Sequence, residues 1–493
     1  MTEAADIFII GGGINGCGIA ADAAGRGLKV ILAEQNDLAS GTSSASTKLI
    51  HGGLRYLEYF EFRLVHEALT EREVLLNAAP HIIKPMRFLL PQKGLRPAWF
   101  LRLGLFIYDH LGGRKILPPT KTVSLKNEPF SGVLEPGYNK AFEYSDCWVD
   151  DARLVLLNAI VARDHGAEIL TRHKCIKAVR EDGLWQITLL DTVGNVEKKI
   201  KAKVIVNAAG PWVDQVLSDV FLHHDRKMIR LVKGSHIIIK KLYDHDRAYV
   251  FQGKQGRIIF VIPYQKNFTL IGTTDQDFKG NLSDIHIDQS EIEYLCELAN
   301  DYFQKDISPD DVISHYAGVR PLYDDGASKA QAATRDFVLK LDKKNALLNI
   351  IGGKITTYRA LAEKSLDQLK HFFPDMPGHW TAGSSLPGGD FKFADYDQKY
   401  QKFCVDYPFL KPEMATRLFR SYGTLAWTVL EKVRSVDDLG QYYGAGLYEK
   451  EVVYLSKYEW VRSADDLLWR RSKLGLHMTE EEIKKIKNRF NEI

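Results

Sequence analysis

The sequence predicts an α/β fold, in which a discontinuous parallel-sheet domain carries a β-rich insert and is followed by a C-terminal helical domain. Three observations predict it. A strand–turn–helix–strand unit occupies 6–35, and further strand–turn elements follow at 203–214 and 347–369. β-rich sequence lies between the last two, at 231–278. Alternation of strands with helices is typical of parallel sheets.

The N-terminal unit has the features of a dinucleotide-binding turn. A buried strand precedes Gly11, Gly13 and Gly16, which have the G-x-G-x-x-G spacing, and Glu34 ends the next strand. Such glycines allow a tight turn, close approach of a pyrophosphate, and close packing of the helix on the strand. The helix N-terminus attracts phosphate, and the carboxylate can accept hydrogen bonds from ribose hydroxyls. The alternative is a tight structural turn in an unrelated α/β domain.

The composition is that of a folded protein with two or three domains. The chain has 493 residues, of which 45% are apolar and 26% charged, and a net charge of +3 that by itself does not indicate nucleic-acid binding. Five cysteines without a C-x-x-C pair predict neither a disulfide framework nor a metal site, and favour a reducing compartment. We expect no signal peptide in the acidic N-terminus, and no apolar run has the roughly 18 residues that span a bilayer.

The same pattern divides the chain into three domains. The predicted pieces are 1–80, 145–230 and 331–382 for the nucleotide-binding domain, 81–144 and 231–330 for a substrate or cap domain, and 383–493 for the C-terminal helical domain. A nucleotide-binding domain in several pieces around a β-rich insert suits a flavoprotein better than a nicotinamide dehydrogenase.

Several sequence blocks are similar to those of one family. They are DIFIIGGGINGCGIAADAAGRGL, TSSASTKLIHGGLRYLE, FEYSDCWVDDARLVLLNA, VNAAGPWVD, GVRPL, GGKITTYR and the tail WVRSADDLLWRRSKLGL. Over essentially the whole chain they resemble the FAD-dependent, respiratory glycerol-3-phosphate dehydrogenases, and HGGLRYLE and GGKITTYR are the most specific. The resemblance implies a Rossmann-like FAD domain of the glutathione-reductase and D-amino-acid-oxidase type. It also implies oxidation of sn-glycerol 3-phosphate to dihydroxyacetone phosphate, with electrons passed through FAD to a membrane quinone.

The resemblance also implies a set of FAD contacts. The implied residues are Gly11, Gly12, Gly13, Ile14, Asn15, Gly16, Glu34, Thr42, Ser43, Ser44, Ser46, Thr47, Lys48, Leu49, His51, Gly52, Gly53, Ala208, Ala209, Gly210, Trp212, Gly353, Lys354, Ile355 and Thr356. The turn at 352–357 would direct backbone N–H groups at the flavin edge that becomes anionic on reduction. The structural alternatives are a turn-forming Asn15, a solvated loop at 42–48, a strand-to-turn junction at 208–210 and a second glycine turn at 352–357.

The implied substrate carries a phosphate with close to two negative charges, which needs a cluster of cations. Arg55, Arg320 and Lys354 come from three separate family blocks, and we expect them to meet in one pocket. Arg55 and Arg320 would clamp the phosphate bidentately, and Tyr56 and Thr356 would add hydroxyl hydrogen bonds. The alternative for each arginine is a surface ion pair.

Hydride transfer from an alcohol also requires a base with a pKa near 7. His51 and His236 are the candidate catalytic residues, in the blocks KLIHGGLR and KGSHIII, and we favour His236. A lone histidine is more often structural. Arg320 is the third candidate catalytic residue, because its charge would lower the pKa of the alcohol.

A quinone acceptor requires contact with lipid. The segment 96–115 is rich in Trp, Phe, Leu and Tyr with flanking Arg and Lys, which is typical of a helix lying on an anionic lipid surface. A buried core helix is the alternative, and Trp469 with Arg470 and Arg471 is a weaker candidate surface. We therefore expect a peripheral protein on the cytoplasmic face of the inner membrane, or a cytoplasmic one, and the family suggests a homodimer.

Three other functions remain open from the sequence. The first is an amine or amino-acid oxidase of the same fold that uses O₂, and the second is a flavin-binding scaffold whose helical tail recruits partners. A nicotinamide-dependent dehydrogenase is the third and fits less well. The identity of the quinone and the role of the C-terminal domain do not follow from the sequence.

Overall fold

The computed structural model describes residues 4–93, 97–222, 227–252, 258–324 and 336–491. The strands are β1 (Ala5–Ile10), β2 (Val30–Glu34), β3 (Leu49–Ile50), β4 (Ile83–Pro91), β5 (Lys121–Ser124), β6 (Lys140–Val149), β7 (Glu168–Thr171), β8 (His173–Glu181), β9 (Leu184–Asp191), β10 (Glu197–Asn207), β11 (Ile229–Lys240), β12 (Ala248–Gln252), β13 (Ile258–Tyr264), β14 (Phe268–Gly272), β15 (Gln276–Asp277), β16 (Val312–Tyr323), β17 (Val338–Asp342), β18 (Leu347–Ile351), β19 (Tyr442–Gly444) and β20 (Leu447–Tyr448). The α-helices are α1 (Ile14–Gly25), α2 (Phe62–Ala78), α3 (Ala98–Leu111), α4 (Asp151–Asp164), α5 (Val213–Asp219), α6 (Gln289–Asn300), α7 (Tyr358–Leu369), α8 (Tyr396–Asp406), α9 (Pro412–Tyr422), α10 (Leu425–Val429), α11 (Glu449–Tyr458) and α12 (Glu480–Asn491). Within the described ranges, every helix is too short or too polar to cross a membrane.

The first sheet contains the N-terminal unit. Its strand order is β17-β18-β10-β1-β2-β7, and the hairpin β8–β9 extends it beside β10. The strands from β18 to β7 pair in parallel. β1, β2, β18 and the second half of β10 are mostly apolar, and α1, α4 and α7 cover one face of the sheet with a continuous apolar core. The predicted α/β fold is confirmed, including the strand–turn–helix elements at both 6–35 and 347–369.

The second sheet is mostly antiparallel and holds the predicted β-rich insert. Its order is β15-β11-β14-β13-β12-β4-β6-β3, with β16 beside β11 and β5 beside β6. This sheet also includes β3 (49–50) and the end of β6 (145–149). The sequence analysis had assigned both segments to the nucleotide-binding domain. The chain therefore passes between the two sheets through these strands. The predicted junction at 330/331 lies outside the described residues, and the division into domains remains a prediction.

The C-terminal domain is helical, as the sequence predicts, and has its own apolar core. Its last helix begins with the predicted capping box. The backbone N–H of Thr479 donates to Glu482 Oε2 over 2.9 Å, and the N–H of Glu482 donates to Thr479 Oγ1 over 3.3 Å. The short hairpin β19–β20 was not predicted.

Buried ion pairs join this domain to the first sheet. Arg153 of α4 donates to both oxygens of Glu459 over 2.9 and 3.0 Å, and both side chains are fully buried. Arg471 donates to both oxygens of Asp37 over 2.8 Å, and Arg470 also pairs with Asp37. The charges of Arg470 and Arg471 therefore bind the domains together rather than a lipid surface.

The Arg153–Glu459 pair gives a prediction about stability. Arg153→Met leaves a buried carboxylate unpaired, which costs about 3–5 kcal/mol, whereas replacing both partners with apolar residues is often close to neutral. We therefore expect Arg153→Met to lower the urea midpoint strongly and Arg153→Met/Glu459→Met to recover most of the loss. A single variant as stable as the parent would contradict the assigned pairing.

Candidate active site

The glycine turn brings β1, α1 and the end of β10 into close contact. A Cβ on Gly11, whose φ is +111°, would lie 2.6 Å from the carbonyl oxygen of Ala208. A Cβ on Gly16 would lie 2.0 Å from the carbonyl oxygen of Gly11. Both positions therefore require glycine. The 208–210 segment lies against the turn, as the predicted dinucleotide site requires.

Glu34 ends β2 beside this turn. Its Oε2 accepts a hydrogen bond from the backbone N–H of Gly12 over 2.7 Å, and its Oε1 accepts one from Asn36 over 2.8 Å. These bonds fix the carboxylate at the end of the strand, although burial raises its pKa. The remaining lone pairs suit ribose hydroxyls.

The second glycine turn packs against the first. Asn15 Nδ2 donates to the carbonyl of Gly352 over 3.1 Å, and Gly353 lies directly beside the same amide. The Oδ1 of Asn15 is buried and accepts no hydrogen bond from the described part of the chain. A buried acceptor without a partner is costly, so this atom fits a donor on a bound cofactor. The residues around the two turns thus fit FAD.

The side chains of 42–48 are mostly engaged within the protein. Thr42 Oγ1 donates to the carbonyl of Val319 over 2.6 Å. Lys48 is buried, and its Nζ donates to Asp151 over 2.9 Å and to the Ser44 carbonyl over 2.9 Å. Lys48 therefore fixes the shape of the segment through its side chain.

A cavity of about 860 Å³ lies between the two sheets. The predicted site residues in its walls are Ile14, Thr42, Ser43, Ser46, Thr47, Leu49, His51, Gly53, Arg55, Tyr56, Arg320, Gly353, Lys354 and Ile355. The other predicted site residues do not line the cavity and lie in the first glycine turn or behind the cavity wall. They are Gly11, Gly12, Gly13, Asn15, Gly16, Glu34, Ser44, Lys48, Gly52, Ala208, Ala209, Gly210, Trp212, His236 and Thr356. Thr356 is fully buried, and its Oγ1 accepts a hydrogen bond from the N–H of His51.

The three cationic residues that were predicted to meet in one pocket, Arg55, Arg320 and Lys354, all line this cavity. Lys354 Nζ donates to the carbonyl of His51 over 2.6 Å and lies 5.3 Å from the centre of the Tyr56 ring. Arg320 reaches the cavity from β16, where it donates to Asp275 over 3.1 Å and to Thr273 over 3.2 Å. The third is Arg55, whose Nη2 donates to the Tyr59 hydroxyl over 3.2 Å and whose buried Nε has no partner.

Burial changes the acid–base properties of the cavity wall. It lowers the pKa of Lys354 to about 7, an effect that nearby Arg72 increases and Asp146 opposes. It also lowers the pKa of His51 well below its usual value, with further contributions from Lys354 and Arg72. At neutral pH, therefore, His51 is uncharged and Lys354 exists in both protonation states.

His236 lies behind the cavity wall. It is fully buried, its ring stacks on Tyr316 with centres 4.8 Å apart, and its Nε2 contacts Thr47 Oγ1 over 3.0 Å. Burial, followed by the charges of Arg320 and Lys48, lowers its pKa well below the usual value. It is not among the residues that line the cavity, but its hydrogen-bonding partner Thr47 is.

The sequence analysis missed a buried network under this wall. Asp146 Oδ1 accepts hydrogen bonds from Arg72 over 2.7 Å, from the Tyr108 hydroxyl over 2.8 Å and from the N–H of Gly52 over 3.3 Å. The available signal was the carboxylate of Asp146 between Tyr144 and Trp148 in the block FEYSDCWV. Five residues of α3 also line the cavity, so the segment expected on lipid contributes to the site: Phe100, Leu101, Leu103, Gly104 and Ile107.

Two family models match the chain. The model for FAD dependent oxidoreductase matches residues 6–359, and the model for the C-terminal domain of alpha-glycerophosphate oxidase matches residues 380–489. D-erythritol 1-phosphate dehydrogenase of Brucella abortus is 50% identical over 483 residues, which are 97% of this chain and 96% of that protein. Glycerol-3-phosphate dehydrogenase of Pseudomonas aeruginosa is also 50% identical over 483 residues, 97% of this chain and 93% of that protein.

A solved structure agrees with these matches. The glycerol-3-phosphate dehydrogenase of Bacillus halodurans, crystallised with FAD, has a TM-score of 0.76 and 27% identity, and the match covers 100% of this chain and 94% of that one. The glycine turns described above fit the same cofactor. The protein is therefore an FAD-dependent oxidoreductase, and its chain belongs to the FAD-dependent glycerol-3-phosphate dehydrogenase family.

Proposed function

We propose that this enzyme oxidises sn-glycerol 3-phosphate to dihydroxyacetone phosphate and delivers the electrons to a membrane quinone. The convergence of Arg55, Arg320 and Lys354 on one cavity carries the proposal. Two arginine forks match the geometry and charge of a phosphate group. Bound FAD supplies hydride acceptance, and the protein supplies binding, orientation and proton transfer.

A longer phosphorylated polyol is the second candidate substrate. The D-erythritol 1-phosphate dehydrogenase of Brucella abortus and the glycerol-3-phosphate dehydrogenase of Pseudomonas aeruginosa are equally similar to this chain, at 50% identity each. Both molecules carry a phosphate and secondary hydroxyls, which are the groups that the cations and hydroxyl side chains of the cavity wall can bind. The same arginines would bind both phosphates, so selectivity would arise at the opposite end of the cavity.

Anaerobic titration of the purified holoenzyme tests the proposal. Glycerol 3-phosphate should bleach the flavin absorbance band near ~450 nm, because flavin is the electron acceptor. Glycine and sarcosine serve as controls, since an amino-acid oxidase of this fold would be reduced by them instead. A kcat/KM for D-erythritol 1-phosphate above that for glycerol 3-phosphate would transfer the assignment to the longer substrate.

Lys354 is the group that we propose as the base. A base must reach the substrate hydroxyl and have a pKa close to the working pH. Lys354 lines the cavity, and burial lowers its pKa to about 7. His51 also lines the cavity, but burial lowers its pKa well below the usual value, and the same is true of His236, which is not among the residues that line the cavity. Arg55 and Arg320 are then left for the phosphate.

This assignment predicts a pH dependence. The neutral amine accepts the proton, so kcat/KM should rise as pH increases through about 7 and then level off. Lys354→Arg keeps the positive charge but cannot act as a base, so it should lower kcat and remove this rise while FAD stays bound. His236→Gln is the comparison variant. If it removes the rise and Lys354→Arg does not, the base is His236.

The proposed quinone and lipid contacts lie around α3. Its buried face includes Leu105 and Tyr108, whereas Trp99 and Phe106 on the other side are 69% and 52% exposed. Phe60, which is 79% exposed, lies on the neighbouring segment and also lines the cavity mouth. An exposed apolar patch of this kind is typical of a membrane-interaction site. We infer that the protein lies peripherally on the cytoplasmic face of the membrane and that quinone enters the site from the lipid. Arg96, the first residue of the expected segment 96–115, lies outside the described residues. The homodimer remains a prediction.

A vesicle-binding experiment tests the α3 patch. Trp99→Asp/Phe106→Asp should abolish sedimentation with anionic vesicles and quinone reduction but preserve dye-linked dehydrogenase activity. The matched control is Val193→Asp/Val405→Asp, because both valines are more than 70% exposed, at 71% and 75%, and lie outside the patch. Equal vesicle binding by the two variants, or loss of folding in the first, would contradict the surface role of α3.

A further inference from the structure

A second large cavity lies between the second sheet and the C-terminal domain. We call it the interdomain cleft, and its volume is about 980 Å³. The sheet contributes Lys84, Trp148 and 265–267, and the C-terminal domain contributes 409–414, 416–417 and Arg420. None of these residues belongs to the FAD or substrate site described above.

The walls of the interdomain cleft carry an excess of positive charge. Lys84, Lys411 and Arg420 pair with no carboxylate among the described residues. Arg420 contacts the hydroxyl of Tyr396 instead. The two carboxylates that line the cleft are already engaged: Asp150 pairs with Lys473, and Glu413 lies 3.9 Å from Lys266.

The arrangement around Lys84 is unfavourable without an anion. Its Nζ lies 5.0 Å from the centre of the Trp148 ring, which holds the ammonium inside the cleft. Burial, followed by the charge of Arg420, lowers its pKa to about 8, and the charge of Asp246, with which it forms no ion pair, opposes this only in part. Like charges that face each other in a partly desolvated space repel, and a bound anion would remove this cost.

Arg417 is a further cationic side chain of the cleft that has an unused hydrogen-bond donor. Arg417 uses its terminal nitrogens to bind Glu451 and the carbonyl of Gly446, whereas its buried Nε has no hydrogen-bond partner among the residues that the structure describes. The first turn of α9 also lines the cleft through Pro412 and Glu413, and its backbone N–H groups add partial positive charge.

We propose that the interdomain cleft binds a phosphate monoester, with Lys84 and Arg420 as its cationic clamp. A phosphate monoester carries close to two negative charges and several acceptor oxygens. Lysine provides a compact charge and arginine a fork of donors, and together they match such a group. A soluble organic phosphate and the headgroup of phosphatidic acid share this chemistry.

Binding to the holoenzyme tests this proposal in two arms. The first arm measures the affinity and thermal shift produced by inorganic pyrophosphate, and the second measures sedimentation with vesicles of phosphatidylcholine with or without phosphatidic acid. Each arm compares Lys84→Met/Arg420→Met with Lys485→Met/Lys487→Met, a control that removes the same charge from exposed positions of α12. Because charge-assisted bonds to phosphate are strong, we expect at least about a tenfold loss of affinity in the cleft variant alone.

The two arms identify the source of the phosphate. If the cleft variant but not the control variant loses affinity for pyrophosphate, the ligand is a soluble phosphate. If the cleft variant loses binding only in the vesicle arm, the ligand is the lipid headgroup. Equal binding by the cleft and control variants in both arms overturns the proposal. Lys84→Arg/Arg420→Lys keeps both charges, so it should partly retain binding of the ligand. If it binds no better than the methionine variant, the loss of affinity in that variant is not caused by the loss of charge.

Discussion

The hydrogen bond from Lys354 to the carbonyl of His51 is the contact on which the active site depends. It joins the turn after β18 to the segment after β3, over 303 positions of sequence, and closes the cavity between the two sheets. It also places the ammonium in a buried position, which lowers its pKa to about 7. Thr356, two residues along, binds the N–H of the same His51, so the two segments are held at two points.

The rest of the architecture keeps this junction rigid. The Asp146 carboxylate holds the N–H of Gly52 from beneath, while Arg72 compensates its buried charge. On the opposite side of the first sheet, the Arg153–Glu459 pair connects α4 with the C-terminal domain. Buried charges occur at these contacts because each has a partner with good geometry; an unpaired one would destabilise the fold.

Much of the fold and part of the site followed from local patterns. The spacing of Gly11, Gly13 and Gly16 predicted a turn that the close contacts with Ala208 require. The family blocks predicted that Arg55 and Arg320 reach a common pocket, and both line the cavity. His236 illustrates the limit: its residue type suggested a base, but only packing reveals that it is fully buried and in contact with Thr47 of the cavity wall.

The sequence by itself determined the strand–turn–helix elements of the nucleotide-binding domain, the β-rich insert, the glycine turns, the C-terminal capping box and the family, because these depend on residues close together in the chain. Tertiary structure alone decided which charges are paired and which are buried. Lys48 forms a buried ion pair with Asp151, whereas Lys354 lines a cavity with a lowered pKa. The physical reason is that desolvation and ion pairing depend on neighbours from distant parts of the chain, which no local pattern records.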